Sequence, residues 1–176
     1  MILGAIIAGG KSTRFGSDKA LAILDGKPLL DHVAKAMAAQ TDAFVIVGRT
    51  WPGITSLPDR PIADQGPLGG LCAALHHAQV HGFETVLTVG CDVLPLPANL
   101  PALLGPANAI VEGQQLIGLW RADLATALED HLASQSDRSI RSWVAACGAR
   151  SVRLETAFHN LNTPGDLAAF TKEQAA

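Results

Sequence analysis

Cysteine is scarce in this 176-residue chain: Cys72, Cys91 and Cys147 are odd in number and widely separated. That excludes a disulfide framework and offers no spacing for a structural zinc site, which leaves all three as buried small hydrophobes. Charge is thin as well. Asp, Glu, Lys and Arg supply 16% of the residues and the formal net charge is -3, so no basic face invites nucleic acid and any attraction for phosphate must be local. No apolar run is long enough for a transmembrane helix. Residues 1–10 are too short and glycine-rich for one, and they lack the basic leader and cleavage pattern of a signal peptide, so a cytoplasmic location without a membrane partner is expected. Internal repeats, low-complexity segments and interdomain linkers are also missing. With 48% hydrophobic residues, the chain is expected to form one domain over 1–176 with a sizeable core.

What is present concentrates near the start. The apolar run 3–7 feeds residues 9–19, which hold three glycines, two lysines and one arginine. Glycines let backbone N–H groups approach an anion closely and the cations neutralise its charge, so this reads as a phosphate cradle. A polar surface loop after an edge strand is the plain alternative. Two standard motifs fail here. Gly10-Lys11-Ser12 ends like a Walker A sequence, but Ala5 stands where its first glycine belongs, and Gly9, Gly10 and Gly16 do not make a dinucleotide fingerprint.

An apolar run bounded by glycine predicts a strand buried on both faces at 3–7, and a second buried strand is expected at 43–47 and a third strand at 85–89. Further strands are expected at 109–112, 116–120 and 151–154, the first two as a hairpin around Gly113. Helices are expected from Pro28 to about 40, over 71–81, 99–104, 121–133 and 139–146, and from Pro164 onward with Thr163 as its cap. Asp31 and His32 fall on the solvated side of the first helix, and 50–60 reads as loop. The alternation predicts a three-layer α/β/α sandwich around a mostly parallel, Rossmann-like sheet.

Several polar residues are candidates for chemistry. Asp64 precedes the glycine-rich Gln65-Gly66-Pro67-Leu68-Gly69-Gly70; it reads either as a partner for a ligand hydroxyl or base edge, or as a turn residue. Asp92 follows the strand 85–89, where ligands of parallel sheets gather, and suits Mg²⁺, which takes one or two carboxylates plus substrate phosphates. The competing role for Asp92 is a helix cap. Arg138 and Arg141 read as anion contacts or as a solvated helix face. Asn160 and Asn162 point the same way if the backbone there is extended.

Together these motifs resemble the molybdenum cofactor guanylyltransferase (MobA-type) family of the nucleotidyltransferase superfamily. The resemblance rests on Ile7-Ala8-Gly9-Gly10, Arg14-Phe15-Gly16, Asp18-Lys19, Gly26-Lys27-Pro28-Leu29, Asp64 with Gly66 to Gly70, Cys91-Asp92-Val93-Leu94-Pro95, and Asn160 to Leu167. It implies a GT-A-like fold and transfer of GMP from GTP to the terminal phosphate of molybdopterin or Mo-molybdopterin, with release of pyrophosphate. It further implies that the backbone of Ile7, Ala8, Gly9 and Gly10 holds base and sugar, that Arg14 and Lys19 meet the triphosphate, and that Asp64 contacts the nucleoside. Asp92 is then the Mg²⁺ ligand, and Asn160 and Asn162 lie near the pterin. Ala8-Gly9-Gly10 favours guanine over cytosine, since related cytidylyltransferases read Ala-Ala-Gly there. The chain departs from the pattern at Val47-Gly48-Arg49, where the guanylyltransferases often carry an asparagine. Use of CTP or another phosphorylated acceptor, a non-catalytic nucleotide- or cofactor-binding module, and transient contact with molybdoenzymes or cofactor-biosynthesis proteins stay open.

Overall fold

The computed structural model describes residues 1–9 and 19–174, the side chains of Lys19 and Gln174 excepted. In chain order its elements are β1 (Ile2–Ile7), a 3-10 turn (Lys19–Leu21), β2 (Ile23–Leu24), β3 (Lys27–Pro28), α1 (Leu29–Ala38), β4 (Ala43–Val47), β5 (Ser56–Leu57), α2 (Pro67–Val80), β6 (Thr85–Gly90) and β7 (Val93–Leu94). There follow α3 (Leu100–Leu104), β8 (Ala109–Val111), β9 (Gln114–Arg121), a 3-10 turn (Ala122–Leu124), α4 (Ala125–Ser134), α5 (Ile140–Cys147), β10 (Arg150–Val152), β11 (His159–Asn160) and α6 (Pro164–Gln174). The main sheet runs β10-β8-β9-β6-β1-β4-β5. Strands β6, β1, β4 and β5 are parallel; β9 is antiparallel to β6 and β8, and β10 is parallel to β8.

The buried side chains divide by the two-residue period of the strands. In β1, Leu3 and Ala5 join the core beneath α2, α4 and α5, whereas Ile6 joins the core beneath α1, α3 and α6. Val45 and Val47 of β4 alternate with Ile46 in the same way. Two helical layers therefore sandwich a mostly parallel sheet, as expected. Gly4 is required by packing: a Cβ there would lie 2.9 Å from both Met37 Cε and Phe44 Cβ. At the antiparallel step, buried Trp120 Nε1 donates to Thr88 Oγ1 at 2.9 Å, and the Thr88 hydroxyl donates to Gly118 O at 3.3 Å. These bonds satisfy two polar groups that burial would otherwise leave costly.

Some boundaries differ from expectation for local reasons. Pro28 pairs with Ile23 in the β2–β3 hairpin, so α1 begins only at Leu29. Helix α2 starts at Pro67 rather than at 71, and Gly69-Gly70 belong to its first turns instead of a loop. A Cβ on Gly70 would meet Ile7 Cδ1 at 3.1 Å, so a bare backbone lets the helix settle on β1. The region 50–60 contains β5, whose two residues pair in parallel with Ile46 and Val47; so short an edge carries no readable periodicity. Asp31 and His32 are not simply solvated: Trp51 Nε1 donates to Asp31 Oδ1 at 3.1 Å, and His32 Nε2 lies 2.7 Å from Leu24 O. Thr163 caps α6 as expected, its Oγ1 accepting from Asp166 N at 3.1 Å while Asp166 Oδ2 accepts from Thr163 N at 2.8 Å. No helix among the described residues is long and apolar enough to cross a membrane.

Candidate functional site

The carboxyl end of β1 is the centre of the site, because β4 and β6 flank it in register: Ile7 lies opposite Val47 on one side and Gly90 on the other. The neighbouring strands thus end together about 10 Å apart across β1, two strand spacings. Ile7 turns its side chain under α2, and Ala8 N–H donates to Val47 O at 2.9 Å. The side chain of Ile7 is half-buried, and the Ala8 amide is engaged with β4. Exposed Gly9 continues the strand into the crevice. Gly10 and Arg14, and the side chain of Lys19, lie outside the described residues.

On the β4 side, Gly9 and Gly48 approach backbone to backbone. A Cβ on Gly48, whose φ is +84°, would fall 2.4 Å from Gly9 Cα. The position following β4 is thus closed to any side chain by its neighbour, a physical reason for glycine in this stretch of the chain. This contact borders a cleft of about 420 Å³ lined by Gly9, Gly48, Arg49, Thr50, Asp59 and Asp64 among others. Asp64 is exposed and adopts φ 59°, so it is a turn residue and also lines the cleft. Asp59, which sequence reasoning passed over as loop, stands in the same cleft. Burial, and secondarily the charge of Asp64, holds its carboxyl above the usual carboxylate range. No local signal marks it, because the two-residue β5 that precedes it is defined only by its pairing with β4.

On the β6 side, Asp92 is half-buried two residues beyond the strand. Its Oδ1 occupies the space above Gly90, where a Cβ would come within 2.7 Å. The residues after it enter β7, and the next helix, α3, begins at Leu100 with Asn99 before it, so Asp92 caps no helix. The C-terminal asparagines arrive at the same place: β11 pairs with β7, Asn160 opposite Val93, and Leu161 N donates to Asp92 O at 2.8 Å. They do not lie on one extended strand. Asn162 N donates to Asn160 O at 3.0 Å, a tight turn about Leu161, whose side chain is fully buried. Arg138 and Arg141 are exposed by α5, which packs on the opposite face of the sheet from β7 and β11; the solvated-face role holds for them.

Among the described residues no group of three or more His, Cys, Asp or Glu could hold a metal ion. A carboxylate at a strand end, as Asp92 is, suits an ion that completes its shell with substrate phosphates and water rather than an all-protein cage. Two carboxylates border one cleft and a third stands across β1, with a glycine strand end between them in an α/β fold. The chain belongs to the MobA-like NTP transferase family, whose model matches residues 4–154; it is a nucleotidyltransferase. It is 34% identical to a molybdenum cofactor guanylyltransferase of Acidiphilium cryptum, over 93% of this chain and 91% of that protein. With one from Rhodobacter capsulatus it shares 36% identity over 95% and 93% of the two chains. The fold also matches the crystal structure of molybdopterin-guanine dinucleotide biosynthesis protein A from Archaeoglobus fulgidus, with TM-score 0.72, 19% identity and 99% of each chain covered.

Proposed function

We propose that this enzyme transfers GMP from GTP to the terminal phosphate of molybdopterin or Mo-molybdopterin, releasing pyrophosphate and forming a guanine dinucleotide cofactor. The observation that carries it is the 34% to 36% identity, over nearly the whole chain, with relatives bearing that activity in their name. In the reaction an oxygen of the pterin phosphate bonds to the α-phosphorus of GTP. The bond from that phosphorus to the bridging oxygen breaks, and pyrophosphate leaves with the electron pair. A phosphate monoester has a second pKa of about 6, so the nucleophile is ionised at neutral pH without a dedicated base. The protein's work is positioning and charge neutralisation.

The β4 side would receive the nucleoside, with the backbone of Ile7, Ala8, Gly9 and Gly10 against base and sugar. Asp59 and Asp64 would accept from its N–H or hydroxyl donors. Guanine offers an N1–H and a 2-amino group together, a pair of donors that suits a carboxylate. Arg14 and Lys19 would meet the triphosphate and the charge developing on pyrophosphate. Asp92 would hold Mg²⁺ with substrate phosphates and water, the ion supplying Lewis-acid charge neutralisation there. The acceptor would enter on the β6 side, where Asn160 and Asn162 lie beside Asp92. The test is to follow pyrophosphate release from GTP and molybdopterin with Asp92→Ala; full turnover with an intact fold would remove Asp92 from the metal site.

A further inference from the structure

The loop that carries Asp59 and Asp64 is held from outside the cleft. Arg60 Nη2 donates to Glu129 Oε1 of α4 at 3.2 Å. The second oxygen, Glu129 Oε2, lies 2.8 Å from Nε2 of His76 on α2, a contact of charge distance rather than of hydrogen-bond alignment. Through its main chain, Arg60 N–H donates to Gly69 O at 3.1 Å in the first turns of α2. Gly69 in turn packs directly on the loop: a Cβ there would fall 2.6 Å from Gln65 Cβ and 3.2 Å from Asp59 Cβ. One carboxylate on α4 thus braces a residue immediately next to Asp59, using two elements that pack on each other. The side chains of Arg60, Glu129 and His76 are 47%, 30% and 21% exposed. An isolated exposed pair contributes little to stability, so the effect of this clamp is geometric: it restricts where the loop can stand.

We infer that Glu129 is a positioning residue for guanine recognition, fixing through Arg60 the loop that presents Asp59 and Asp64 to the base. The inference rests on the reading of that loop as the nucleoside contact. Steady-state kinetics with GTP and with ITP, which lacks the 2-amino donor, test it in the wild type, Glu129→Gln, Arg60→Met and the double variant. The wild type should prefer GTP. In each single variant the KM for GTP should rise about three- to tenfold, equivalent to about 0.7–1.4 kcal/mol, with little change in kcat or in the KM for the pterin. The preference for GTP over ITP should fall toward unity, and the double variant should be no worse than the worse single one, as expected of one network. Loss of stability alone would lower kcat for both nucleotides and leave their ratio intact. Arg60→Met alters a half-exposed side chain and keeps its stem, so it reads out the clamp even if Glu129→Gln folds poorly. A GTP-to-ITP preference kept at the wild-type value in the variants overturns the inference alone; a wild type that treats the two nucleotides equally overturns the nucleoside reading and the inference with it.

Discussion

Replacing Gly48 by alanine separates two demands that meet beside the cleft on the β4 side. The first is conformational: at φ +84° a Cβ costs about 1–2 kcal/mol for an L-residue. The second is steric. The added carbon would lie 2.4 Å from Gly9 Cα and 2.7 Å from Gly9 N, both backbone atoms that no rotamer change can move, and overpacking of this kind costs about 1–3 kcal/mol. The sum, about 3 kcal/mol, should lower Tm by roughly 6–12 °C in a chain of this length. Relief must come from parting β1 and β4 at their carboxyl ends, which displaces Gly9, so the KM for GTP should rise on the order of tenfold or more. Gly26→Ala is the control, because φ there is +77° with nothing within 4 Å of the added carbon. It should lose only the conformational part, about 1 kcal/mol and roughly 2–4 °C, with unchanged kinetics. Thermal unfolding and GTP kinetics on both variants decide the matter. Equal melting of the two proteins, with wild-type GTP affinity in Gly48→Ala, would refute the argument.

Other consequences can be measured alongside. Thr88→Val strands the buried Trp120 N–H and should cost about 1–3 kcal/mol in denaturant unfolding without altering the KM for GTP. Thr163→Ala should cost about 0.5–2 kcal/mol through loss of the α6 cap, read by the same unfolding experiment. Acidification should weaken GTP binding earlier than an ordinary carboxylate would, since Asp59 is held above the usual range by burial. The sign for stability is opposite: a raised native pKa means the folded state takes up that proton more readily, so protonation of Asp59 favours the fold and the lost affinity is not unfolding. Titrating GTP binding from neutral to mildly acidic pH checks it, and Asp59→Asn should flatten the profile. Cys72, pushed up to about 12 chiefly by burial, should resist alkylation at mildly alkaline pH in the native protein and react on unfolding.

The parts of this fold that show in the sequence are those whose physics is local. The runs 43–47 and 85–90 are apolar but for Thr85 and Thr88 because both faces of their strands are covered, and Asp92 stands out because an acid follows such a run. Gly69 and Gly70 misled for the opposite reason: glycine usually signals a turn, but here close approach to Ile7 and Gln65 outweighs its poor helix propensity. Asp59 hid in a loop whose course depends on β5, a strand made only by pairing with β4. The asparagines were visible as residues but not as geometry, since burial of Leu161 pulls the chain into a turn between them. The Arg60–Glu129 contact joins residues 69 positions apart, and no local pattern encodes it.

The central claim is transfer of a guanylyl group, and one incubation addresses it. The protein is mixed with molybdopterin, Mg²⁺ and GTP labelled in the α-phosphate, and the fate of the label is followed together with pyrophosphate. The account predicts label in a pterin guanine dinucleotide, one pyrophosphate for each label transferred, and little product when CTP replaces GTP. GTP bound without pyrophosphate release, or CTP used equally well, would contradict it.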